Sequence, residues 1–493
     1  MDLGLPPKPS RESLVALCRD DPEKAADLIL MLWDKLEELT SVVVAQGEEI
    51  TALKAKLAKD GHNSSKPPST DRSNPGGGPS PQPKKSSGRS PGGQKGHRGC
   101  TLKMSGAPDR IIDLERPWRC GCGRSLAGVE PGGHAARQVY DLPENIRLEV
   151  TEYRAPICRC PGCGKGNTGE FPPEAAAPVQ YGVRVRAAAT YLHTYHLLPY
   201  ARLSEALADL FGCPLSTGAL AGFIGEAGGR SGPLHEGIRE EVASAGFMHN
   251  DETGLNVLDK TCWLHTASTP QYAYFVVTPG RSFEDIKSVG VLDGYTGRSI
   301  HDFLAAYLKF DGLAHGLCNA HHLRELTFVE EELGQAWAAQ MSCLLLAAKD
   351  LVAEAAGEVC PGVVEEIRRQ YREILAAGME ANPPPVRAPG QKGRLAKGKA
   401  LNLLGRFAAY GEEVLAFLIH GVPFDNNEAE RDLRMMKTRQ KISGCFRSLE
   451  WANKFARIRS VITSAKKKAI NVYELLQAMF SDIEKAEEML IGT

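Results

Sequence analysis

The stretch FMHNDETG, residues 247–254, decides the fold expected for the second half of this chain. The apolar and β-prone run that reaches Asp251 is typical of a strand end. GLNVLDKTCWLHTAST and QYAYFVVTPG follow it, separated by a Thr-Pro turn signal, and predict a β-meander. Because side chains alternate along a strand, Glu252 is expected on the opposite sheet face from Asp251.

Two more acidic residues, further along the chain, lie in sequence contexts that predict secondary structure. Asp302 follows the β-prone run RSIH, and Glu430 lies in the first turns of a basic helix predicted from PFDNNEAERDLR. One helix and two strands would then bring Asp251, Asp302 and Glu430 together. Carboxylate oxygens are the ligands that Mg²⁺ prefers, and two such ions roughly 3.5 to 4 Å apart stabilise both oxygens of an in-line phosphoryl displacement. We therefore predict two catalytic Mg²⁺ at these three residues.

Neighbouring acidic residues compete for two of these positions. Glu428 lies about 200° around the helix from Glu430, so only one of the two can face the site. Asp311 is the alternative to Asp302. Asp425 or Asn426 is the predicted N-cap of the helix.

Several stretches, in order along nearly the whole chain, resemble the large transposase of the insertion-sequence-sixty-six family, a group of bacterial DDE transposases. They are HNSSKPPSTD, YHLLPYARLSEALADLFG, HNDETG, CNAHHLREL and PFDNNEAERDLRMMKTRQKISGCFRS. The resemblance implies an RNase H-like catalytic domain in which Asp251, Asp302 and Glu430 occupy the positions of the DDE triad. It favours Glu430 over Glu428. It also implies nicking at transposon ends and attack of the exposed 3′-hydroxyl on target DNA.

Cys318 and His321 lie three residues apart in CNAHHLRE. A Cys and a His at this spacing can chelate a metal, but two ligands do not make a site. The resemblance implies that they support the catalytic domain and a helical insertion. His249 and His301, each close to a predicted catalytic Asp, either orient substrate or water or are ordinary packed histidines.

The charge distribution favours a nucleic-acid partner although the net charge is only −1. Lys and Arg outnumber acidic residues by seven to one between Gly61 and Cys100, and by twelve to two between Arg431 and Ile470. An ordinary solvated helix is the alternative for the second segment. The cations predicted to bind DNA phosphates are Arg431, Arg434, Lys437, Arg439, Lys441 and Arg447.

Residues 24 to 59 carry apolar side chains alternately three and four residues apart. This pattern is typical of a coiled coil of about four heptads, in which Gln46 fills one polar core position. An amphipathic helix packed on its own domain is the alternative. The seam predicts a homo-oligomer, and its residues are Ile29, Leu32, Leu36, Leu39, Val43, Ile50, Leu53 and Leu57.

Two groups of cysteines predict a structural zinc site. Cys120 and Cys122 in RCGCGRSL precede Cys160 and Cys163 in ICRCPGCGK, and four thiolates suit tetrahedral Zn²⁺. The first pair is separated by one residue, where members of the resembled family usually have two. Either Cys158 substitutes for a ligand or the first knuckle is degraded.

The expected fold is multidomain α+β. Three short helices between Val179 and Gly229, with Ser216 as a cap, suggest a helix-turn-helix whose second helix is poor in base-reading side chains. The predicted segments are a coiled coil (1–60), a flexible basic linker (61–105), a zinc-binding module (106–175), a helix-turn-helix-like region (176–245), an RNase H-like catalytic domain (246–323 and 421–470), a helical insertion (324–420) and a C-terminal helix (471–493).

The sequence also predicts where the protein acts. Apolar runs stay short of the roughly 18 to 20 residues that span a bilayer, and the N-terminus lacks a signal peptide's apolar stretch, which predicts a cytoplasmic protein with no membrane partner. The resemblance to a bacterial transposase family implies a bacterial, nucleoid-associated protein. Expected partners are transposon terminal inverted repeats, target DNA and small accessory proteins of the same element. The alternatives to a transposase are a non-catalytic DNA-binding relic or regulator, and a nuclease without strand transfer.

Overall fold

The computed structural model describes residues 10–57, 103–115, 117–143, 146–355, 359–385, 387, 395 and 397–492. Most of the predicted basic linker, including HNSSKPPSTD, therefore lies outside the described residues. The chain divides into two compact units. One consists of Met1–Gly78, Arg186–Leu197 and Ile224–Thr493, and the other of Pro79–Val185 and Leu198–Phe223.

Two helices, α1 (Arg11–Asp20) and α2 (Pro22–Leu57), form the N-terminal segment. α2 is one continuous helix of 36 residues, in agreement with the heptad pattern. The side chains of Leu53 and Leu57 lie outside the described residues. The other apolar seam residues are between 52% and 65% exposed, namely Ile29, Leu32, Leu36, Leu39, Val43 and Ile50.

Residues 157–230 contain a small hairpin and three helices. Strands β1 (Ile157–Arg159) and β2 (Gly166–Thr168) are antiparallel. The helices predicted after Val179 are present as α3 (Val183–Thr190), α4 (Tyr200–Phe211) and α5 (Thr217–Arg230), with a π-helical turn at Tyr191–Tyr195. Gly212 ends α4 at φ 59°, in the left-handed region that glycine adopts without steric cost. Ser216 Oγ accepts a hydrogen bond from Ala219 N at 3.1 Å, as predicted for a helix cap.

A mixed five-stranded sheet forms the centre of the larger unit. The sheet strands are β3 (Phe247–Val257), β4 (Lys260–Ser268), β5 (Ala273–Thr278), β6 (Arg298–His301) and β7 (Ala314–Leu317). The helix α6 (Gly232–Ser244) precedes β3, and the helix α7 (Phe283–Ser288) lies between β5 and β6. The strand order is β5-β4-β3-β6-β7. β4 is antiparallel to both β3 and β5, as expected for the predicted meander, whereas β6 and β7 run parallel to β3.

β3 extends further than the sequence predicts. Asp251 lies within the strand rather than at its end, because β3 continues to pair with β4, where Asp251 is opposite Thr266. The parallel pairing of β3 with β6, in contrast, covers only the first residues of β3, up to His249. The carboxyl end of β6, the parallel neighbour of β3, therefore lies close to Asp251.

The region from 319 to 420 is helical where it is described, as predicted. Its helices are α8 (Asn319–Leu333), α9 (Ala336–Glu354), α10 (Pro361–Ala381), α11 (Lys399–Ala409), α12 (Gly411–Val414) and α13 (Ala416–Ile419). They pack around a core that includes Trp337, Leu345 and Phe407. Among the described helices, only α9 is long and apolar enough to span a membrane by length and composition. Its Trp337 and Leu345 belong to this core.

Four helices end the chain, α14 (Asn427–Ser443), α15 (Leu449–Lys467), α16 (Val472–Ser481) and α17 (Ile483–Leu490). The single C-terminal helix predicted from residue 471 is thus divided in two. Asp482 lies at the break, where its Oδ1 accepts from Lys485 N at 3.1 Å and caps α17. α15 packs along the edge strand β5 and covers it.

Candidate active site

The sheet register brings the first two predicted carboxylates together. His249 of β3 is opposite Ile300 of β6, and because the two strands are parallel, Asp251 and Asp302 both lie two residues beyond this pair. Asp302 Oδ1 is buried, and no donor in the described part of the chain lies within hydrogen-bond distance of it. A buried carboxylate oxygen without a partner is costly unless a cation or a donor compensates it. This atom is therefore a candidate metal ligand.

The residue after Asp302 has an unusual backbone. Phe303 has φ 75°, in the left-handed region that glycine favours, and its amide donates to His301 Nδ1 at 3.2 Å. The Phe303 ring packs edge-on against Tyr410, with 5.1 Å between centroids, and lies 4.5 Å from the guanidinium of Arg406. Strained backbone of this kind is concentrated at functional sites. Contacts with the helical region hold it here.

Helix α14 brings the third predicted carboxylate to the sheet. It packs against β3, and Glu430 lies in its first turn. Glu430 Oε1 is 3.9 Å from His321 Nε2 and 3.9 Å from Arg324 Nη2, both on α8. The Glu430 side chain is 27% exposed and therefore accessible from one side.

Glu428 is engaged elsewhere. Its Oε1 accepts a hydrogen bond from Lys467 Nζ at 2.5 Å, and its Oε2 pairs with Arg431 at 3.1 Å. Lys467 Nζ also lies 2.9 Å from Asp432 Oδ2. Burial raises the pKa of Glu428, but the hydrogen bond and charge of Lys467 outweigh it and lower that pKa below its ordinary value. This pairing favours Glu430 as the glutamate available to the site.

The carboxylates influence one another electrostatically. Burial raises the pKa of Asp251 well above its ordinary value, and the charges of Asp302, Glu252 and Glu430 raise it further. Burial and the charge of Asp302 raise the pKa of Glu252 to about 7. The charged forms of Asp251 and Glu252 are thus disfavoured, which favours either proton uptake by these two residues or a bound cation.

Glu252 was not among the predicted site residues. Its Oε2 accepts a hydrogen bond from Tyr307 OH at 3.1 Å, and its Oε1 lies 3.8 Å from Arg281. The expectation from strand alternation assigned it to the face away from Asp251, yet its charge still acts on Asp251. The only indication in the sequence that Glu252 lies near the site is that it directly follows Asp251.

Two alternative residues have other surroundings. Asp311, the rival of Asp302, is exposed in the turn before β7.

Asn426 is the boundary residue of α14, but its side chain makes no cap hydrogen bond. Asp425 Oδ1 instead accepts from Asn427 N at 3.1 Å. The Asn426 side chain turns toward β3, a contact that the sequence does not predict.

Cys318 and His321 lie at the start of α8. Cys318 is 1% exposed, and its Sγ accepts a hydrogen bond from Asn426 N at 3.2 Å. His321 Nδ1 is 3.3 Å from the same sulfur. Burial raises the pKa of Cys318 to about 11, so this thiol stays protonated at neutral pH. The sulfur of Cys318 is thus joined to the residue that immediately precedes α14.

The two histidines beside the predicted aspartates have buried partners. His249 Nδ1 donates to Asn426 Oδ1 at 3.0 Å. His301 Nε2 lies 3.1 Å from His315 Nδ1, and burial lowers the pKa of His301 to about 3. His301 is therefore neutral in the folded protein, which is typical of a packed histidine.

The donor set fits a divalent cation, although no ready-made cage is present. Among the described residues, no group of three or more His, Cys, Asp or Glu side chains is arranged to hold a metal ion. The nearby oxygens of Asp251, Asp302 and Glu430 are nevertheless hard ligands of the type that Mg²⁺ prefers. The unpaired Asp302 Oδ1 and the raised pKa of Asp251 both indicate negative charge without a full complement of partners.

A basic stripe extends from Glu430 along α14. Positions four, seven and eleven residues later share its helix face, and they carry Arg434, Lys437 and Lys441. All three are exposed, as are Arg431 and Arg447. Arg439 differs, because its guanidinium lies 3.4 Å from the Phe446 ring centroid and donates to Gly444 O at 3.1 Å.

The predicted zinc ligands form two separate pairs of similar local shape. Cys120 N donates to Arg124 O at 2.8 Å, and Cys160 N donates to Lys165 O at 2.9 Å, so each pair lies on a tight turn. Backbone hydrogen bonds, with a smaller contribution from the neighbouring thiol, lower the pKa of Cys122 and of Cys160. Four converging thiols are not present among the described residues.

Two protein-family models match parts of the chain. A family model described as Transposase IS66 family matches residues 178–454. A second model, described as a family of unknown function (DUF6444), matches residues 8–103. No curated protein matches the chain. The first match includes β3, β6, α8 and the helix that carries Glu430.

Proposed function

The chain belongs to the IS66 family of transposases, whose model covers more than half of it, and from this premise we propose that it cuts transposon ends and joins the exposed 3′-hydroxyl to target DNA. The family alone supports a DNA-processing transposase. The proposed catalytic residues are Asp251, Asp302 and Glu430. A non-catalytic relic or regulator and a nuclease without strand transfer are the competing outcomes.

One observation carries this proposal. Three acidic residues from distant parts of the chain lie on or beside elements that pack together: Asp251 is on β3, Asp302 follows β6, which pairs with β3, and Glu430 is on α14, which packs against β3. A protein gains no stability from such crowding. Clustered buried carboxylates are instead typical of sites that bind cations or move protons.

We propose that Asp251, Asp302 and Glu430 hold the Mg²⁺ ions. When bound, divalent cations neutralise charge on the phosphate and activate the attacking oxygen. The residues of the chain then have distinct tasks. The three carboxylates provide oxygen ligands, Arg324 supports the Glu430 carboxylate from α8, and the basic stripe binds the phosphates of the approaching DNA.

The sheet supports an RNase H-like catalytic domain. Its order is β5-β4-β3-β6-β7, an antiparallel meander followed by two strands parallel to β3, and helices follow these strands as expected from the resemblance. We further propose that the cysteine pairs Cys120 and Cys122, and Cys160 and Cys163, bind structural Zn²⁺ and that α4 and α5 contribute to DNA binding. The proposed setting is the bacterial cytoplasm, with a second copy of the chain and small accessory proteins as partners.

An end-cleavage assay with the full chain tests the catalytic assignment. With Mg²⁺ and a labelled transposon end, Asp251→Asn, Asp302→Asn and Glu430→Gln should each reduce nicking by about a hundredfold or more while DNA binding is retained, because each removes a charged ligand. Asp311→Asn is the matched control, since Asp311 is exposed. It should nick at the wild-type rate.

The other outcomes identify the alternatives. DNA binding with no Mg²⁺-dependent nicking by the wild-type protein would favour the relic or regulator. Nicking without joining of the labelled end to a plasmid would favour the nuclease. Loss of nicking in Glu428→Gln but not in Glu430→Gln would exchange the two glutamates.

A further inference from the structure

Asn426 joins β3 and α14, which carry two of the three proposed catalytic groups, to the start of α8. It is 1% exposed and immediately precedes α14. Its carbonyl oxygen accepts a helical hydrogen bond from Glu430 N at 3.3 Å. The position of Asn426 therefore sets where the first turn of α14, and with it Glu430, begins.

The side chain of Asn426 is bonded at both ends to β3. Its Nδ2 donates to Asn250 O at 2.8 Å, and its Oδ1 accepts from His249 Nδ1 at 3.0 Å. These partners are one and two residues before Asp251. Only an amide of this length both donates and accepts here, since aspartate cannot donate to a carbonyl and alanine can do neither.

The main chain of Asn426 links the start of α14 to α8. Its N–H donates to Cys318 Sγ at 3.2 Å, and the same sulfur is 3.3 Å from His321 Nδ1. The other nitrogen of His321 is 3.9 Å from Glu430 Oε1. The start of α14 is thus held from the β3 side and from the α8 side at once.

We propose that Asn426 is a positioning residue that holds the Glu430 carboxylate beside Asp251, so that the acidic cluster can bind a divalent cation. Asn426 acts through Glu430 and through the strand that carries Asp251, and does not itself contact the DNA. The proposal rests on the assignment of these carboxylates as the catalytic cluster.

Asn319 provides a matched control. It is also 1% exposed, its Nδ2 donates to a backbone oxygen, Val414 O, at 2.9 Å, and its Oδ1 accepts from His322 Nδ1 at 3.0 Å. The first bond ties α8 to α12 and the second lies within α8, so neither joins β3 to α14. Asn319→Ala and Asn426→Ala therefore remove the same number and kind of side-chain hydrogen bonds from equally buried positions.

The experiment measures Mn²⁺ binding to the full chain by titration calorimetry, because Mn²⁺ accepts carboxylate ligands as Mg²⁺ does. Thermal unfolding in EDTA is measured in parallel. Asn426→Ala and Asn319→Ala should lower the melting temperature by similar amounts. Only Asn426→Ala should weaken Mn²⁺ binding, by about tenfold, and Asp251→Asn should abolish it.

The two proposals fail in different ways. Equal Mn²⁺ binding by the wild type and Asp251→Asn would overturn the catalytic assignment. Loss of binding in Asp251→Asn, together with wild-type affinity in Asn426→Ala, would overturn the role of Asn426 alone. An equal loss of affinity in Asn319→Ala and Asn426→Ala would also overturn it, since a general structural effect would then explain both.

A second variant serves if Asn426→Ala does not fold. His249→Phe keeps an aromatic side chain and removes the imidazole N–H that donates to Asn426 Oδ1. It should weaken Mn²⁺ binding about threefold, because the other hydrogen bonds of Asn426 remain. Unchanged Mn²⁺ affinity in His249→Phe would count against Asn426 as the positioning residue.

Discussion

Lys467 shows how one buried cation determines which glutamate of α14 is available. Its side chain is only 9% exposed, and its ammonium group contacts Glu428, Asp432 and the carbonyl oxygen of Thr269. Because Glu428 is paired here, Glu430 is the first-turn glutamate left for the acidic cluster. The deciding residue lies 39 positions from Glu428.

Lys467→Met should lower the free energy of unfolding by about 3 kcal/mol, because it leaves two partly or fully buried carboxylates without their cation. Urea unfolding measures this loss. Lys466→Met is the control, since Lys466 is exposed, and it should change stability by no more than about 0.5 kcal/mol. Equal effects of the two variants would contradict a stabilising role for the buried ammonium.

The stability lost in Lys467→Met should depend on pH in a defined direction. The pKa of Glu428 is lowered in the folded protein from its ordinary value of 4.5. Its ion pair therefore stabilises the fold above that value, and this contribution is lost as pH falls through the folded pKa. The difference between wild type and Lys467→Met should shrink below about pH 4.5.

At the scale of elements, α15 provides hydrogen-bond acceptors for the edge strand β5. An exposed edge strand presents unpaired N–H groups that must find partners. Three polar side chains of α15 accept from alternate residues of β5. The bonds are Ala273 N to Ser464 Oγ at 3.0 Å, Phe275 N to Ser460 Oγ at 2.9 Å and Val277 N to Asn453 Oδ1 at 3.0 Å.

Ser460→Ala should lower the free energy of unfolding by about 1–3 kcal/mol, because it leaves the buried amide of Phe275 without an acceptor. Thr463→Val is the control on the same helix. Thr463 Oγ1 is buried and has no hydrogen-bond partner among the described residues, so its removal should be neutral or stabilising. Denaturant unfolding of both variants measures the difference, and a harmless Ser460→Ala would contradict the edge-covering role.

At the scale of the whole molecule, α2 is an apolar surface without a cover in the described chain. Its apolar seam residues from Ile29 to Ile50 are more than half exposed along a helix of 36 residues. An isolated amphipathic helix of this kind gains little stability from its apolar face in water. Pairing of α2 with a second copy of the chain would bury the seam, as the heptad spacing predicts.

Leu36→Asp should shift the full chain toward monomer, because a charge at the centre of the seam is costly to bury. Sedimentation velocity over a range of protein concentrations measures the shift. Asp34→Ser, an exposed position off the seam, should leave the distribution of species unchanged. A wild-type protein that is monomeric at all concentrations would show that α2 does not mediate association.

Short-range features of this protein follow from the sequence by itself. The heptad pattern predicts the continuous helix α2, the Thr-Pro turn signal predicts the β3–β4–β5 meander, and Ser216 predicts a cap that is observed. Such features depend on interactions between residues that are close in sequence, so the local sequence is enough to predict them. The resemblance to a transposase family also rests on contiguous motifs, and the family is confirmed.

Only the tertiary structure decided which side chains surround the acidic cluster. The partners of Asn426 lie 177, 176 and 108 residues away in the chain, and nothing in the local pattern distinguishes a capping asparagine from one that bonds to a strand. Arg439 likewise reads as one more basic residue until Phe446 is seen against it. Burial, charge pairing and pKa depend on atoms brought together by packing, and that proximity is not encoded at any single position.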